Sequence, residues 1–433
     1  MSMRSVAAGD VTTGGGAGSV LPDDERVEPV NRAATRSLYR ARIKIHPRHI
    51  AGTFRSLKWA AMALLLSIYY LAPFLRWDRG ANAPGQAILV DFPNRKFYFF
   101  FIEIWPQEIY YLTGILVMMA VGLFLVTSSV GRIWCGFACP QTVWTDLFIG
   151  VERLIEGDRN ARIRLDAAAP SASKFAKRTL KYAIFLLISM ATGGAWILYF
   201  ADAPTLVHEM AGLQAPFAAY VAFGFLTLST FLLGGFAREQ VCTYMCPYAR
   251  FQAAMLDEHS LIVGYRADRG EPRGKHKKGD PWEGRGDCVD CDSCVAVCPV
   301  GIDIRDGQQL ECINCGLCVD ACNAVMDRVG RPSGLIAIDS LAGVTAQKAG
   351  RRPALQLVRP RTLIYGAIWC AVGLAMLATL AFRNDLEINV LRDRNPLFVT
   401  LSDGSIRNGF TIHLLNKLHA DRPVTLSVEG LPG

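Results

Sequence analysis

Five apolar stretches, each long enough to cross a lipid bilayer, constrain this chain more than any other feature of its sequence. A helical span needs about 20 apolar residues, and inside a bilayer the chain must satisfy its own backbone hydrogen bonds. Hydrophobic residues make up 51% of the chain and its mean hydropathy is +0.23, which fits a membrane protein with polar parts. The sequence therefore predicts an α-helical membrane protein with about five transmembrane helices. The stretches cover roughly Leu57–Leu75, Ile109–Val130, Thr179–Phe200, Pro216–Phe236 and Leu363–Phe382.

Basic residues are distributed unevenly around these stretches, and their distribution predicts an orientation. Residues 131–178 contain eight Lys or Arg and residues 237–362 contain seventeen, whereas the loop 201–214 contains none. By the positive-inside rule, the N-terminus and the two basic segments lie in the cytoplasm and the C-terminus lies in the periplasm. The net charge of +8 sits in loops next to the membrane, so nucleic acid is not an expected partner. Lys181, near the start of the third stretch, is expected to snorkel to the interface.

Eight cysteines form two copies of the pattern C-x2-C-x2-C-x3-C. In bacterial ferredoxins this spacing holds two cubane clusters, with the fourth cysteine of each run reaching the other cluster. Zinc also binds cysteine pairs two residues apart, but a zinc site needs two pairs rather than two sets of four. The spacing therefore predicts two [4Fe-4S] clusters and transfer of single electrons. The predicted ligands are Cys288, Cys291, Cys294 and Cys322 for the first cluster and Cys312, Cys315, Cys318 and Cys298 for the second.

A second cysteine motif, C-x3-C-P, occurs twice, each time directly after an apolar stretch. The repeat predicts that the first four spans form two equivalent hairpins. Residues four apart share a helix face, and thiolates prefer soft ions such as Cu(I), zinc or the iron of clusters. A shared metal or electron-relay site is one interpretation; the other is two independent pairs with a packing or redox role, including a reversible dithiol. The cysteines are Cys135 and Cys139 in the first copy, and Cys242 and Cys246 in the second.

Composition divides the chain into segments. A disordered polar tail (1–31) and a basic cytoplasmic segment (32–56) precede two transmembrane hairpins (57–130 and 179–236), each followed by a cytoplasmic C-x3-C-P segment (131–178 and 237–286). A ferredoxin domain (287–325), a linker (326–362), the last helix (363–382) and a periplasmic β segment (383–433) complete the chain. Alternating runs at Leu386–Leu391, Gly409–Lys417 and Pro423–Glu429 predict strands, fewer than a complete sandwich of about 100 residues needs.

Three smaller features give further expectations. The aromatic loop 91–106 is predicted to form strands or a re-entrant piece at the interface. The segment Thr142–Ile155 has apolar residues at helical spacing, which predicts a helix lying along the membrane surface. Glu103 and Glu108 are expected to be solvated rather than to serve quinol chemistry.

The runs Trp105–Gly114, Gly131–Asp146 and Cys242–Gln252, together with the cluster region, resemble the cytochrome c oxidase accessory proteins of the FixG/RdxA/CcoG family. These are polyferredoxin-like membrane proteins, and the resemblance covers about residues 40–433. It implies a bacterial inner (plasma) membrane protein, with the four C-x3-C-P cysteines as the catalytic residues that bind copper as substrate or transient ligand. The family also ends in an immunoglobulin-like outer domain, and this chain is expected to stop within it.

These patterns and the resemblance together predict a membrane-bound iron–sulfur electron-transfer protein. Its expected reaction is that of a cupric reductase, which reduces Cu(II) to Cu(I) for assembly of a cbb(3)-type cytochrome c oxidase. Expected partners are the lipid bilayer, oxidase assembly factors or a copper carrier, and an unidentified electron donor. Two alternatives remain open: a quinol-linked relay to a periplasmic reductase, and a non-catalytic scaffold for oxidase assembly.

Overall fold

The computed structural model describes residues 43–80, 83–277, 279–350, 356–384, 386–417, 423–427 and 430. The predicted tail (1–31) and residues 32–42 of the basic segment that follows it lie outside these residues. The helices are α1 Thr53–Leu71, α2 Tyr110–Val130, α3 Pro140–Glu156, α4 Arg159–Ala167, α5 Ala172–Ile197, α6 Ala203–Ala211, α7 Phe217–Thr230, α8 Pro247–Met255, α9 Ala267–Gly270, α10 Ser293–Ala296, α11 Leu317–Val329, α12 Leu341–Lys348 and α13 Pro360–Ala381. The strands are β1 Ile88–Asp91, β2 Lys96–Phe99, β3 Ile102–Ile104, β4 Ile262–Tyr265, β5 Ile336–Asp339, β6 Leu386–Arg392, β7 Val399–Thr400, β8 Ile406–Arg407 and β9 Phe410–Asn416.

Five helices of the described chain are long and apolar enough to cross a membrane, which confirms the predicted number of spans. Their apolar side chains largely face outward, and in the last span no residue of the apolar window is buried. A helix that exposes this much apolar surface is stable in lipid rather than in water. The spans, numbered one to five below, are Thr53–Phe74, Pro106–Val130, Ala172–Ile197, Phe217–Ala237 and Pro360–Ala381.

The spans do not pair as two consecutive hairpins. Spans three and four pack closely, as predicted, but span two packs along span five, and span one contacts span three. Small residues allow the close approach of α2 and α13, because Gly114 faces Met376 and Gly122 faces Trp369. The predicted first hairpin, 57–130, is therefore wrong as a packed pair. Sequence adjacency favours neighbours in space, but here the side chains that fit one another come from opposite ends of the chain.

Spans one and three are joined by polar contacts within the apolar region. The hydroxyl of Tyr70 lies 2.8 Å from Oγ1 of Thr192, and the Tyr69 hydroxyl donates to the Thr192 carbonyl at 2.8 Å. Trp144 of α3 donates its indole N–H to the same Oγ1 at 2.9 Å. In lipid these bonds have no competing water, so they fix how the three helices meet.

The aromatic loop after span one forms strands, the first of the two predicted alternatives. β1, β2 and β3 make an antiparallel sheet in that order, with Asp91 opposite Lys96 at the first turn. Glu103 and Glu108 are only 4% and 3% exposed, so the expectation that they are solvated is wrong. Each is buried because it has a cationic partner: Lys96 lies 2.7 Å from Glu103, and Lys417 lies 2.8 Å from Glu108.

Helix α3 buries only part of its apolar stripe: Val143 is 4% exposed, but the burial does not continue along the stripe. Its buried side chains include three carboxylates, Asp146, Glu152 and Glu156, whereas Leu154 of the apolar stripe is 85% exposed. α3 packs against α5 and the end of span four rather than lying free along a surface. Lys181 is 2% exposed and lies 2.9 Å from Glu156, so it is buried in an ion pair and does not snorkel.

The cysteine-rich unit is wider than residues 287–325. Strand β4 before it and strand β5 after it pair antiparallel, from Ile262 opposite Asp339 to Tyr265 opposite Ile336. The unit is attached to the membrane helices through Asp320 of α11, whose carboxylate accepts hydrogen bonds from the backbone N–H groups of Phe54 (3.3 Å) and Arg55 (2.8 Å). Span one therefore begins on a side chain of the cysteine-rich unit, which satisfies amides that a helix start leaves free.

Two of the three strands predicted near the C-terminus form. β6 and β9 pair antiparallel over their whole length, and the short strands β7 and β8 form a second pair. Residues 423–427 of the third predicted run are described and are not in a strand. Lys417, at the end of β9, ties this pair of strands to the start of span two through Glu108.

Candidate redox centre

Two cavities lie inside the cysteine-rich unit, and each is lined by thiols from both copies of the C-x2-C-x2-C-x3-C pattern. Cys322 completes the first cavity and Cys298 the second, so the fourth cysteine of each run crosses to the other set, as in bacterial ferredoxins. The individual ligand assignments remain predictions that this geometry supports. The first cavity is lined by Cys288, Cys291, Cys294 and Cys322, and the second by Cys298, Cys312, Cys315 and Cys318 together with Cys294.

The surroundings of these thiols suit iron–sulfur clusters. Burial raises the pKa of Cys298 to about 12 and that of Cys312 to about 11, although backbone N–H groups point at both sulfurs. Such thiols stay protonated until a metal binds them, and amides aimed at sulfur are the bonds that tune cluster potentials. Arg305 lines the first cavity beside Cys294, where Asp290, Asp292 and Asp303 hold its guanidinium in place at 2.5–2.7 Å. The donor set therefore fits two cubane clusters.

The two cavities differ in their access to solvent. Cys291 of the first set is exposed. The second set packs into an apolar core that contains Val300, Ile313 and Leu317. The first cavity therefore faces the surface, and the second faces the membrane helices.

Both C-x3-C-P motifs fold in the same unusual way. Residues Trp134–Ala138 and Val241–Met245 are each one turn of π-helix, closed by backbone bonds from Cys139 to Trp134 (2.8 Å) and from Cys246 to Val241 (2.7 Å). The second cysteine of each motif has an extended backbone and precedes the next helix, which begins with proline. Proline has no backbone N–H, and the first position of a helix does not need one. Single π turns occur frequently at functional sites.

The two motifs exchange partners. The thiol of Cys135 lies 3.0 Å from Oε1 of Gln252, which belongs to the helix after the second motif. Gln141, from the helix after the first motif, donates to the carbonyl of Leu233 at 2.8 Å near the end of span four. Tyr248 makes the matching contact with Thr127 of span two at 3.1 Å. The helix after each motif thus contacts the span that leads into the other motif, as expected for a twofold arrangement of the repeat.

The four C-x3-C-P thiols are neighbours. Burial raises the pKa of Cys242 to about 12, with Cys139, Cys135 and Cys246 adding to it. Burial likewise raises the pKa of Cys135 to about 11, against the nearby charge of Arg132. Within the described residues, no three His, Cys, Asp or Glu side chains already meet closely enough to hold one ion. The ferredoxin thiols need not meet at one point, because a cubane binds each thiolate to a different iron. A copper ion shared by several C-x3-C-P thiols would draw those thiols closer together.

The first C-x3-C-P turn lies directly on the second ferredoxin loop. Cys135 belongs to the same apolar core as Cys315 and Ile313. At Gly136 a Cβ atom would lie 2.9 Å from the carbonyl oxygen of Ile313 and 3.1 Å from Cα of Cys315, so only glycine permits this approach. Arg132 adds a hydrogen bond from its guanidinium to the carbonyl of Leu310.

Several residues of this centre carry no motif signal in the sequence. Gly136 and Asp320 act through contacts with residues far along the chain, so spacing could not reveal them. Gln252, which is fully buried, also accepts a hydrogen bond from Arg132 at 3.1 Å. The sequence shows only that a glutamine follows the second cysteine motif, and this does not predict the network.

Comparison with known proteins identifies the modules. Residues 237–341 match the model of a 4Fe-4S dicluster domain, and 112–157 match that of a 4Fe-4S binding domain. Residues 376–433 match the IG-like fold at the C-terminus of FixG, described as a putative oxidoreductase. No solved structure matches the chain. The chain therefore contains iron–sulfur modules and an immunoglobulin-like C-terminal segment on a helical membrane protein, as predicted.

Full-length relatives decide the family. Nitrogen fixation protein FixG of Rhizobium meliloti is 54% identical over 434 residues, covering 94% of this chain and 83% of the relative. Protein RdxB of Cereibacter sphaeroides is 56% identical over 398 residues, covering 91% of this chain and 83% of the relative. Protein RdxA of the same organism is 52% identical over 399 residues, covering 92% and 84%. This chain belongs to the FixG/RdxA family. As a FixG/RdxA protein with these modules, it is an iron–sulfur electron-transfer protein of the membrane.

Proposed function

We propose that this FixG/RdxA protein is a cupric reductase, in which the four C-x3-C-P thiols bind copper while it is reduced from Cu(II) to Cu(I). The observation that carries the proposal is the contact between the first C-x3-C-P turn and the second ferredoxin loop. Gly136 touches the backbone of Cys315, and Cys135 shares its apolar core. An electron-carrying unit and a set of soft donors are thereby placed side by side.

The chemistry follows from the donors. Clusters bound by the ferredoxin cysteines supply single electrons, and reduction of Cu(II) to Cu(I) consumes one electron per ion. Thiolates prefer Cu(I) among copper ions, so these side chains favour the reduced product. Because burial keeps Cys135 and Cys242 protonated, copper binding releases their protons. The thiols bind and orient the ion, and Gln252 holds the Cys135 sulfur in place at 3.0 Å.

The biological role follows from the family resemblance described for the sequence. We infer that the Cu(I) formed serves assembly of a cbb(3)-type cytochrome c oxidase, through an assembly factor or copper carrier. The clusters and both thiol pairs then lie on the cytoplasmic side of a bacterial inner membrane, with the C-terminal strands in the periplasm. The uneven distribution of Lys and Arg supports this orientation.

The experiment is anaerobic addition of Cu(II) to dithionite-reduced, desalted protein. Cluster reoxidation is followed by absorbance and EPR, and Cu(I) is trapped with a chromogenic chelator. We expect one Cu(I) per electron lost from the clusters. The Cys135→Ser/Cys246→Ser double variant should keep its clusters and lose the reaction. Cys370→Ser is the matched control, because Cys370 is exposed on span five, away from both thiol pairs.

Two results would reject the proposal. If copper leaves the clusters reduced, the protein does not reduce copper; if the double variant reacts like wild type, the C-x3-C-P thiols are not the site. Oxidation of quinol by the same preparation would then favour the quinol-linked relay. Normal oxidase assembly by a cluster-free variant that accumulates normally would favour the scaffold.

A further inference from the structure

A cavity of about 200 Å³ that the proposed copper chemistry does not use lies between spans three and four, at their basic ends. It lies near the start of span three and at the end of span four, next to the segment that leads into span one. Its lining combines cations with aromatic side chains. The residues that matter below are Lys44, Glu152, Lys181, Tyr182, Phe236 and Arg238.

The polar wall of this cavity carries more positive charge than its carboxylates cancel. Glu152 is occupied by Arg238, which it binds through both oxygens at 2.6 and 3.0 Å. Lys44 is half-exposed and has Asp166 at 2.7 Å. Burial, followed by the charges of Arg178 and Lys181, nevertheless lowers the pKa of Lys44 to about 8. The lining as a whole holds three cations, Lys44, Lys181 and Arg238, against two carboxylates, Glu152 and Glu239, and this balance favours an anion.

The opposite wall is apolar and continuous with the membrane surface of the spans. Tyr182 and Phe236 stack with ring centroids 5.5 Å apart and planes 11° from parallel. Phe236 is 38% exposed and lies at the end of span four, where a soluble protein would bury it. Phe185 also lines the cavity.

We propose that this cavity binds the phosphate headgroup of an anionic phospholipid, taken from the leaflet on the ferredoxin side of the membrane. Lys44 and Arg238 face the phosphate, and one acyl chain follows Tyr182 and Phe236. Basic pockets between transmembrane helices bind such headgroups. The apolar wall favours a lipid over free phosphate, and the charged lining favours it over a neutral quinone ring.

A bound headgroup would act on a residue that also borders the thiol region. Arg238 lines a second cavity, which contains Cys242. Its backbone is held at a φ of +43°, a region that non-glycine residues rarely adopt, by bonds from its guanidinium to Gly235 and Glu152. A phosphate on Arg238 would strengthen this arrangement. The lipid site does not rest on the copper proposal and can be tested without copper.

The test uses the full chain purified in mild detergent, with dioleoylphosphatidylglycerol as the probe and native mass spectrometry as the measurement. We expect one lipid to be retained, and the Lys44→Gln variant to bind it about fivefold more weakly, the loss expected for one cation at a lipid headgroup. Lys177→Gln is the matched control: Lys177 is an exposed lysine one turn before Lys181 on the same helix, outside the cavity. Melting temperatures of both variants check that each remains folded.

A second variant tests the apolar wall, because Phe236→Ser should also weaken lipid binding while leaving the cations in place. Four results would overturn the proposal. These are equal retention of dioleoylphosphatidylcholine, displacement of the lipid by millimolar inorganic phosphate, equal losses in the Lys44→Gln and Lys177→Gln variants, and a co-purified quinone in place of lipid.

Discussion

Replacing Glu152 by glutamine, which removes one buried negative charge at the basic ends of the spans, should destabilise the membrane domain strongly. The Glu152 side chain is 3% exposed and lies 2.8 Å from Arg162, 2.6 Å from Arg238 and 3.6 Å from Lys181. Glutamine keeps the shape of the side chain but removes the negative charge. Arg162 and Arg238 would then lose the carboxylate that pairs with them, while Lys181 keeps Glu156 at 2.9 Å, and an uncompensated buried charge is costly.

The size of the effect follows from the carboxyl group itself. Burial alone would raise the pKa of Glu152, but Arg238, Arg162 and Lys181 outweigh it and hold the pKa at about 2, below the ordinary 4.5. This difference corresponds to about 3 kcal/mol of stability at neutral pH. Because the folded pKa is the lower one, the stabilisation is complete above about pH 4.5 and is lost as the pH falls towards 2. The Glu152→Gln variant should lack it at every pH.

The assay is thermal unfolding in nanodiscs, followed by intrinsic tryptophan fluorescence at pH 7. We expect the melting temperature of Glu152→Gln to fall by at least several degrees, since about 1 kcal/mol shifts it by about 2–4 °C in mid-sized domains. Glu258→Gln is the control, because the Glu258 side chain is 73% exposed. Equal melting temperatures for the two variants would refute the argument that Glu152 neutralises a buried cluster of cations.

Three further outcomes are expected. Gly136→Val should lower the free energy of unfolding by about 1–3 kcal/mol, because the new side chain would meet the Ile313 carbonyl. It should also make the junction between the π-helical turn and the ferredoxin unit accessible to protease. The control Gly224→Val should do neither, because nothing lies within 4 Å of that position. Asp320→Ala should cost about 1 kcal/mol and speed hydrogen exchange at the first amides of span one by about fivefold; unchanged exchange would contradict the cap. Cys298→Ser should remove the EPR signal of one cluster and about half of the bound iron, whereas full iron content would contradict its assignment as a ligand.

Much of the architecture could be predicted from local sequence. Spans follow from length and hydropathy alone, so four of the five agree with the prediction to within four residues, while the third begins at Ala172, seven residues before its predicted start. The crossing of Cys298 and Cys322 between the two thiol sets follows from ferredoxin spacing, because neighbouring loops of fixed length leave the chain few alternatives. The C-x3-C-P repeat likewise predicted equivalence of the two turns, although not their π-helical form.

The remainder depends on contacts between residues distant in sequence. Nothing in the apolar pattern of α3 shows that its carboxylates face inward, because the cations that make this favourable come from α1, α4, α5 and the end of span four. The pairing of span two with span five depends on side chains such as Gly114 and Met376 that fit each other, and a hydropathy profile does not contain this information. The wrong expectations for Lys181, for the first hairpin and for Glu103 and Glu108 have this origin, because each depends on a partner distant in sequence or on a fold that brings it near.

The interlocked connectivity of the molecule also sets an order for its synthesis. Span two reaches the membrane long before span five, its main helical partner, has been translated. The Cys135 turn acquires Gln252 only 117 residues later, and the first amides of span one acquire their cap from Asp320 after about 265. The early spans are therefore inserted in the bilayer before several of their contact partners have been synthesised. The cysteine-rich unit is likewise completed late, because strand β5, which pairs with β4, is translated only after four of the five spans.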